Sequence, residues 1–483
     1  MRFDPESLDA FDPRGLRVVV VGMGRSGVAA ATLLHARGAE VVAADTKPHG
    51  SWSDEARALV ASGAVRPVLL PEESVVPWSS AVRPRPAVPP AYDAVPEPFR
   101  DVHLIVVSPG VPNGASLEAA AAWGVPIWSE LELGVRAARP GAQLVAVGGT
   151  NGKSTTTELV GALFRGAGAK VFVGGNLGEP FSFHAHELFD AVVLETSSFQ
   201  LERVHRFRPD VAILLNISPD HLDRYATFAD YAAAKGNAFV RQGPSDLAVV
   251  SALDPEALAQ ASRGAAQRVT FGPAGDWRVD DRSITSPDGK WSVLREDIPL
   301  RGTHNAYNVA AALAATVGRL GVNADNARAT LRGFRGLAHR MQWVGETGGV
   351  RFYDDSKGTN VGAAVTALLG LDEPRAVLIA GGKDKGGSYA PLGQALAERG
   401  RAVVLIGEAA PLIEQAVSFA VPTVRAKNMG EAVRLAWERA LPGDAVLLSP
   451  ACSSFDMFRD YKERGDVFAG AVRELVRAAG GSS

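Results

Sequence analysis

The sequence predicts an α/β fold in three domain-sized units, on three observations. Short β-branched runs recur along the chain, and several lead into glycine-rich or polar turns and then Ala-rich stretches. That alternation builds parallel sheets covered by helices. The chain has 483 residues, about three domains at roughly 150 residues each. Hydrophobic residues make up 46% and charged residues 21%, enough apolar material for several cores and too much for a disordered chain.

The elements follow in order. Val18–Val21 reads as a strand buried on both faces, Val28–Leu34 as a helix, and Val41–Ala44 and Leu104–Val107 as further strands. Between Pro71 and Pro98 lie eight prolines in 28 residues. Such a stretch forms neither helix nor central strand and reads as an extended insertion, 71–98, in the first unit. A second unit opens with the strand Leu144–Val147 and the helix Glu158–Phe164, and continues with strands Val192–Glu195 and Val211–Asn216. Residues 265–300 are β-like, with a turn at Pro287-Asp288-Gly289, and Asn308–Leu320 reads as a helix. A third unit starts near Val350, with strands Val377–Ala380, Val403–Ile406 and Ala445–Leu448.

Composition excludes some functions. Lys and Arg total 50 against 53 Asp and Glu, a net charge of −3, so a general nucleic-acid binder is disfavoured. Cys452 is the one cysteine, which leaves no intramolecular disulfide and no Cys-based zinc cluster and fits a reducing compartment. The acidic residues 1–13 have no apolar core of a signal segment, and no apolar run reaches bilayer length. A soluble cytoplasmic protein without membrane insertion is expected.

Four groups of residues carry chemistry. Gly22-Met-Gly24-Arg25-Ser26-Gly27 follows a strand and opens a helix, and Asp45 ends the next strand. Taken alone this matches a dinucleotide fingerprint, and the ligand could be NAD, FAD or another nucleotide diphosphate. The second group is Gly148-Gly149-Thr150-Asn151-Gly152-Lys153-Ser154-Thr155 between a strand and a helix. Its backbone N–H groups suit phosphate oxygens, Lys153 counters their charge, and the Ser154 or Thr155 hydroxyl suits magnesium. The residue five before Gly152 is Val147, so the loop is one residue tighter than the full P-loop pattern.

The third group is acidic and polar: Glu195 with Thr-Ser197-Ser-Phe-Gln200, then Asn216-Ile-Ser-Pro-Asp220-His221-Leu-Asp-Arg-Tyr225. Both sit at strand ends, where α/β folds bind ligands. Magnesium prefers oxygen, so His221 is the less natural direct ligand. Lys235 follows on an Ala-rich stretch and on composition alone is a solvated helix lysine. The fourth group comprises His339-Arg340, Asp354-Asp355-Ser-Lys357-Gly-Thr359-Asn, Gly381-Gly-Lys-Asp-Lys385 and Ser449-Pro-Ala-Cys-Ser-Ser454-Phe-Asp. The last three follow strands, as one rim of a sheet would place them, and their cations suit acidic substrates.

Together, Gly-Thr-Asn-Gly-Lys-Ser-Thr, Glu-Thr-Ser-Ser-Phe-Gln, Asp-His-Leu-Asp-Arg-Tyr and Asp-Ser-Lys-Gly-Thr-Asn resemble the Mur ligase family, in order and along essentially the whole chain. The N-terminal glycines and Ser-Pro-Ala-Cys-Ser-Ser-Phe-Asp look most like its D-glutamate-adding branch, and the Asp-Asn-Pro-Arg motif of the diaminopimelate- or lysine-adding branch is absent. The resemblance implies an N-terminal Rossmann-like UDP-substrate domain at 1–135, a central P-loop-type ATPase domain at 136–337 and a C-terminal Rossmann-like amino-acid and ATP domain at 338–483. It implies a monomeric ATP-dependent ligase that joins D-glutamate to UDP-N-acetylmuramoyl-L-alanine through an acyl phosphate.

Residue by residue, the resemblance implies UDP-substrate contacts from Gly22, Gly24, Arg25, Ser26, Gly27, Asp45, Thr46, Lys47, Ser108, Pro109, Gly110, Asn176, Ser197 and Gln200, in place of a dinucleotide. ATP would lie by Gly149, Thr150, Asn151, Gly152, Lys153, Ser154, Thr155, Asn305, Asn308, Arg340 and Asp355. Two Mg²⁺ would draw on Ser154, Thr155, Glu195, His221 and Lys235, the last as a CO₂-derived carbamate. Lys153, Glu195, His221 and Lys235 would be catalytic. D-Glutamate would meet Lys357, Thr359, Lys385, Ser454 and Tyr461, where the family often has Phe in place of Tyr461. An L-glutamate-adding relative, another Mur or folylpolyglutamate-type ligase, a dinucleotide oxidoreductase and a P-loop switch or transport ATPase are the alternatives.

Overall fold

The computed structural model describes residues 11–71, 97–112, 114–221, 224–300, 302–384, 386 and 388–479. Lys385 and nearly all of the Pro-rich insertion lie outside these. The insertion's end is described as a short turn of 3₁₀ helix, Glu97–Phe99, with Pro98 and Phe99 buried.

Three sheets are present. The first has strands β1 Arg17–Val21, β2 Glu40–Asp45, β3 Arg66–Leu69, β4 Leu104–Val107 and β5 Ile127–Ser129. All are parallel, in the order β3-β2-β1-β4-β5. The order reverses between β1 and β4, which makes a crevice at their carboxyl ends. Val18 and Val20 pack into one core and Val19 and Val21 into another. Burial on both faces is why these strands read as unbroken apolar runs.

The second sheet has parallel strands β6 Gln143–Gly148, β7 Val171–Gly175, β8 Ala191–Glu195, β9 Val211–Leu214, β10 Leu247–Ser251, β11 Gln267–Gly272 and β12 Trp277–Val279, in the order β12-β11-β10-β9-β6-β8-β7. The glycine loop after β6 therefore opens between the ends of β8 and β9. β9 stops two residues earlier than expected, because Leu215 and Asn216 bond to the backbone of Gly148 and Thr150. The helix after the loop starts at Lys153, ahead of the expected Glu158. Gly152, in the left-handed region at φ +83°, caps it.

Hairpin β13 Ser283–Thr285 and β14 Ser292–Leu294 turns around the expected Pro287-Asp288-Gly289. The helix expected at Asn308–Leu320 runs instead from Thr303 to Thr316. The third sheet has β15 Gln342–Thr347, β16 Val350–Asp354, β17 Ala376–Gly381, β18 Gly400–Ile406, β19 Thr423–Arg425 and β20 Ala445–Leu448, in the order β15-β16-β20-β17-β18-β19. Only β15 is antiparallel to its neighbour. Strands β16, β20 and β17 are adjacent and parallel, so the three polar clusters that follow them share one sheet edge.

The chain forms two compact units. One comprises residues up to Arg278 with Ser286–Asp288 and Ala310–Arg328; the other comprises Val279–Thr285, Gly289–Val309 and residues from Ala329 on. The first unit holds the first sheet and the parallel strands β6–β11. Helix Glu130–Ala137 ties these together, giving Leu133 and Ala137 to the first sheet's core and Leu131 to the second's. The expected boundary after residue 135 falls inside this helix. Glu132, 1% exposed, accepts the backbone N–H groups of His205, Arg206 and Phe207 at 2.8–3.0 Å and the Arg136 Nε at 2.6 Å. Among the described residues no helix is long and apolar enough to cross a membrane.

Candidate active site

The glycine loop after β1 is shaped by contacts its residue types require. A Cβ on Gly27 would stand 1.9 Å from the Gly22 carbonyl oxygen, whereas one on Gly24 would meet nothing within 4 Å. Gly27 is thus needed by the fold, and Gly24 borders open space where a ligand can approach the backbone. Asp45 accepts the Met23 N–H at 2.7 Å with one oxygen and the Lys47 N–H at 2.9 Å with the other. The acid that would reach a ribose in a dinucleotide site here holds the glycine loop. Across the crevice Ser108 donates to the Gly22 carbonyl at 2.6 Å. Gly24, Arg25, Lys47 and Gly110 are exposed, and Gly22, Ser26, Thr46 and Pro109 half-buried.

The loop after β6 is tied down from β9. Asn151 donates its N–H to Asn216 Oδ1 at 2.9 Å, and Asn216 Nδ2 returns a bond to the Asn151 carbonyl at 3.1 Å. Thr150 Oγ1 lies 3.1 Å from the Tyr231 hydroxyl and bonds to Ser218 on either side. Lys153 Nζ donates to the carbonyls of Gly149 at 2.9 Å and Thr150 at 2.7 Å.

Lys235 is not a solvated helix lysine. It is 3% exposed, and its Nζ donates to Gly149 O at 2.8 Å above the Tyr231 ring. Burial pushes its pKa well below the usual lysine value, and nearby Lys153 pushes it further, against Asp220 and Glu195.

Ser154 Oγ donates to Glu195 Oε2, and Asn176 Nδ2 donates to Glu195 Oε1 at 2.6 Å. A buried hydroxyl and a buried carboxylate are the oxygen donors Mg²⁺ takes alongside phosphate oxygens. Thr155 is buried beside them. Among the described residues no three His, Cys, Asp or Glu side chains converge as a metal centre. His221 adopts φ +54°, packs its ring 4.7 Å from Phe199, and lies 3.7 Å from Asp220. Ser197 and Gln200 form a capping box on a short helix, each bonded to the other.

In the second unit, Ser449 donates to Asp355 at 2.7 Å. Burial lifts the Asp355 pKa to about 7, partly offset by Ser449 and Arg340. Lys357 Nζ sits 4.0 Å over the Tyr461 ring, and Thr359 donates its N–H to the Lys357 carbonyl at 2.8 Å. Asn308 Nδ2 bonds to Asn305 Oδ1 at 3.1 Å. Asn305 and Arg340 line a common cavity of 660 Å³ with Arg335, Arg351 and Asp372. Ser454 is buried.

Asn216 and Arg224 lie in motifs quoted above but carried no role of their own there, and Tyr231 and Arg464 were not singled out from sequence. Arg464 is wholly buried and donates to the Ser356 hydroxyl and carbonyl and to the Cys452 carbonyl at 2.7–3.2 Å. It thus holds the loops before Lys357 and Ser454. Asn216 and Arg224, within one polar motif after a strand, carried a usable signal; Tyr231 and Arg464 carried none.

Two family models match the chain: the Mur ligase middle domain over residues 147–316 and the Mur ligase glutamate ligase domain over residues 339–452. A UDP-N-acetylmuramoylalanine–D-glutamate ligase of Geobacter metallireducens is 42% identical over 95% of this chain and 98% of its own. The enzyme of the same name from Pelotomaculum thermopropionicum is 40% identical over 95% and 98%. The solved structure of MurF from Thermotoga maritima with ADP aligns over 97% of this chain and 98% of its own at a TM-score of 0.58 and 17% identity. UDP-N-acetylmuramate–alanine ligase from Thermotoga maritima aligns over 95% and 100% at 0.56 and 19%. These two likenesses speak for the fold.

Proposed function

The chain belongs to the Mur ligase family, and from that premise we propose that it joins D-glutamate to UDP-N-acetylmuramoyl-L-alanine with consumption of ATP, as a monomer in the cytoplasm. The carrying observation is the pairing of two lysines on one loop carbonyl beside the Ser154–Glu195–Asn176 chain, in a chain 42% identical to a D-glutamate ligase. The three sheets correspond to UDP-substrate, ATPase and amino-acid domains.

A carboxylate is a poor acyl donor. The alanyl carboxylate of the UDP-substrate takes the γ-phosphoryl group, and ADP leaves. The amine of D-glutamate attacks the resulting acyl phosphate, and the tetrahedral intermediate expels phosphate. Such chemistry depends mainly on positioning and on stabilising charge at phosphoryl oxygens. Lys153 and the N–H groups of the Gly149–Thr155 loop hold the ATP phosphates. Asn305, Asn308, Arg340 and Asp355 hold its base and ribose. Ser154, Thr155 and Glu195 would hold Mg²⁺, with His221 and a carbamylated Lys235 serving a second ion. Bound Mg²⁺ neutralises phosphate charge and polarises the phosphoryl group. A neutral, buried amine is the form that adds CO₂, which supports the carbamate. The loops around Gly24, Asp45–Lys47 and Ser108–Gly110 receive the UDP diphosphate and uridine, with Asn176, Ser197 and Gln200 toward the sugar end. Lys357, Thr359, Lys385, Ser454 and Tyr461 receive D-glutamate, whose two carboxylates suit two cations.

Phosphate release with ATP, Mg²⁺, bicarbonate and UDP-N-acetylmuramoyl-L-alanine tests the reading. Release that requires D-glutamate, with a product heavier by one glutamyl residue, is expected. Release with L-glutamate alone would overturn the stereochemical assignment, and release with neither would overturn the substrate assignment.

A further inference from the structure

We propose that Arg224 is a positioning residue for the UDP-sugar substrate: it locks the Ser108–Val111 turn to the loop that carries His221. The proposal rests on the UDP-substrate reading above. Arg224 is 16% exposed at its side chain and Glu202 12%. Its Nη1 donates to the Pro109 carbonyl at 3.1 Å, and its Nη2 to the Val111 carbonyl at 3.3 Å and to Glu202 at 2.9 Å. The guanidinium lies 4.1 Å over the Phe199 ring. Glu202 is held in turn by the Tyr225 hydroxyl at 2.5 Å.

Each contact leads to a ligand element. The two carbonyls flank Gly110, which is exposed and has nothing within 4 Å of a Cβ built on it. The turn is packed on the first glycine loop, because a Cβ on Gly22 would strike Val111 at 2.6 Å, and Ser108 bonds the Gly22 carbonyl. On the other side, Phe199 packs on both His221 and Tyr225. One planar side chain therefore fixes the spacing between the turn that receives the diphosphate and uridine and the loop that carries His221. A guanidinium satisfies two carbonyls, a carboxylate and an aromatic face together; an ammonium on a flexible stem does not. Loss of the lock lets the turn shift against the His221 loop, which weakens a ligand spanning both and spares one that touches the first sheet alone.

The test uses the full chain carrying Arg224→Lys. Expected is a rise of about tenfold in KM for UDP-N-acetylmuramoyl-L-alanine, with kcat, KM for ATP and the calorimetric Kd of UDP each within about twofold. An unchanged KM for the UDP-sugar, or a joint collapse of kcat and both KM values, would overturn the proposal. Should Arg224→Lys not fold, Glu202→Gln takes its place. It keeps an acceptor for Tyr225 while removing the charge that orients Arg224. A KM rise confined to the UDP-sugar supports the lock; no rise sinks it. Unmodified protein without glutamate-dependent turnover on this substrate would overturn the substrate reading and the proposal together. Turnover in the unmodified protein with silent variants overturns the proposal alone.

Discussion

Lys153 and Lys235 converge on one acceptor, the carbonyl oxygen of Gly149, at 2.9 and 2.8 Å. Two full positive charges cannot share one carbonyl in a buried site without cost. Lys235, the more deeply buried, is the one driven toward the neutral amine. The loop thus pairs a cation suited to phosphate with an amine suited to addition of CO₂.

Lys235→Ala is therefore expected to lower kcat by about 10²- to 10³-fold, the scale of losing one group that stabilises transition-state charge. Lys235→Arg should fare no better, since a guanidinium does not deprotonate in proteins. Activity of the unmodified protein should rise when bicarbonate is returned to CO₂-depleted buffer. Steady-state rates decide it, and a Lys235→Ala enzyme within a few-fold of normal would end the idea.

Gly27 and Gly24 separate packing from binding. Gly27→Ala forces a methyl onto the Gly22 carbonyl and should destabilise by about 1–3 kcal/mol, as overpacking does. Gly24→Ala meets open space at φ −72°. It should melt within a degree or two of the parent yet raise KM for the UDP-substrate. Thermal melts beside kinetics read both, and equal behaviour of the two variants would refute the distinction.

Asp355 gives a pH dependence with a defined sign. Burial raises its pKa from 3.8 to about 7. Between those values the folded protein holds more protons than the unfolded chain, so this group makes stability fall as pH rises through that window. Asp355→Asn removes the penalty while costing activity. Its melting temperature relative to the parent should climb from pH 4 to pH 8, and a flat difference would count against the buried carboxyl.

Tyr461 steadies Lys357 through its ring face. Tyr461→Phe keeps that face and should leave KM for glutamate nearly unchanged. Tyr461→Leu removes about 0.5–1 kcal/mol of cation–π attraction, which should appear as a two- to fivefold rise in KM. Equal effects from both variants would assign the role to the hydroxyl.

The strands that were legible in sequence, such as Val18–Val21 and Val377–Ala380, lie inside a sheet with both faces covered, and their composition shows it. Strand β15, Gln342–Thr347, was not legible. It has exposed residues, alternates weakly, and pairs antiparallel at a sheet edge. The helix at Thr303 hid its start because Asn305 and Asn308 are weak helix formers. At the site, glycine loops and strand-end carboxylates were readable because backbone geometry dictates their residue types. Tyr231 and Arg464 were not, since Tyr231 meets Thr150 from 81 residues away and Arg464 meets Ser356 from 108 residues away, and no local spacing announces them. Lys235 shows the same limit, for only the fold reveals that an Ala-rich helix turns its lysine inward.

Glu132 carries a consequence for how the first unit assembles. Its carboxylate belongs to a helix attached to the first sheet, yet it collects three successive N–H groups, His205 to Phe207, from the stretch just before β9. An excised N-terminal fragment would lose these three donors to Glu132, and an excised central fragment would lose the acceptor of three successive amides. Each half thus completes the other's hydrogen bonding, and a cut between the first two sheets should cost both fragments stability.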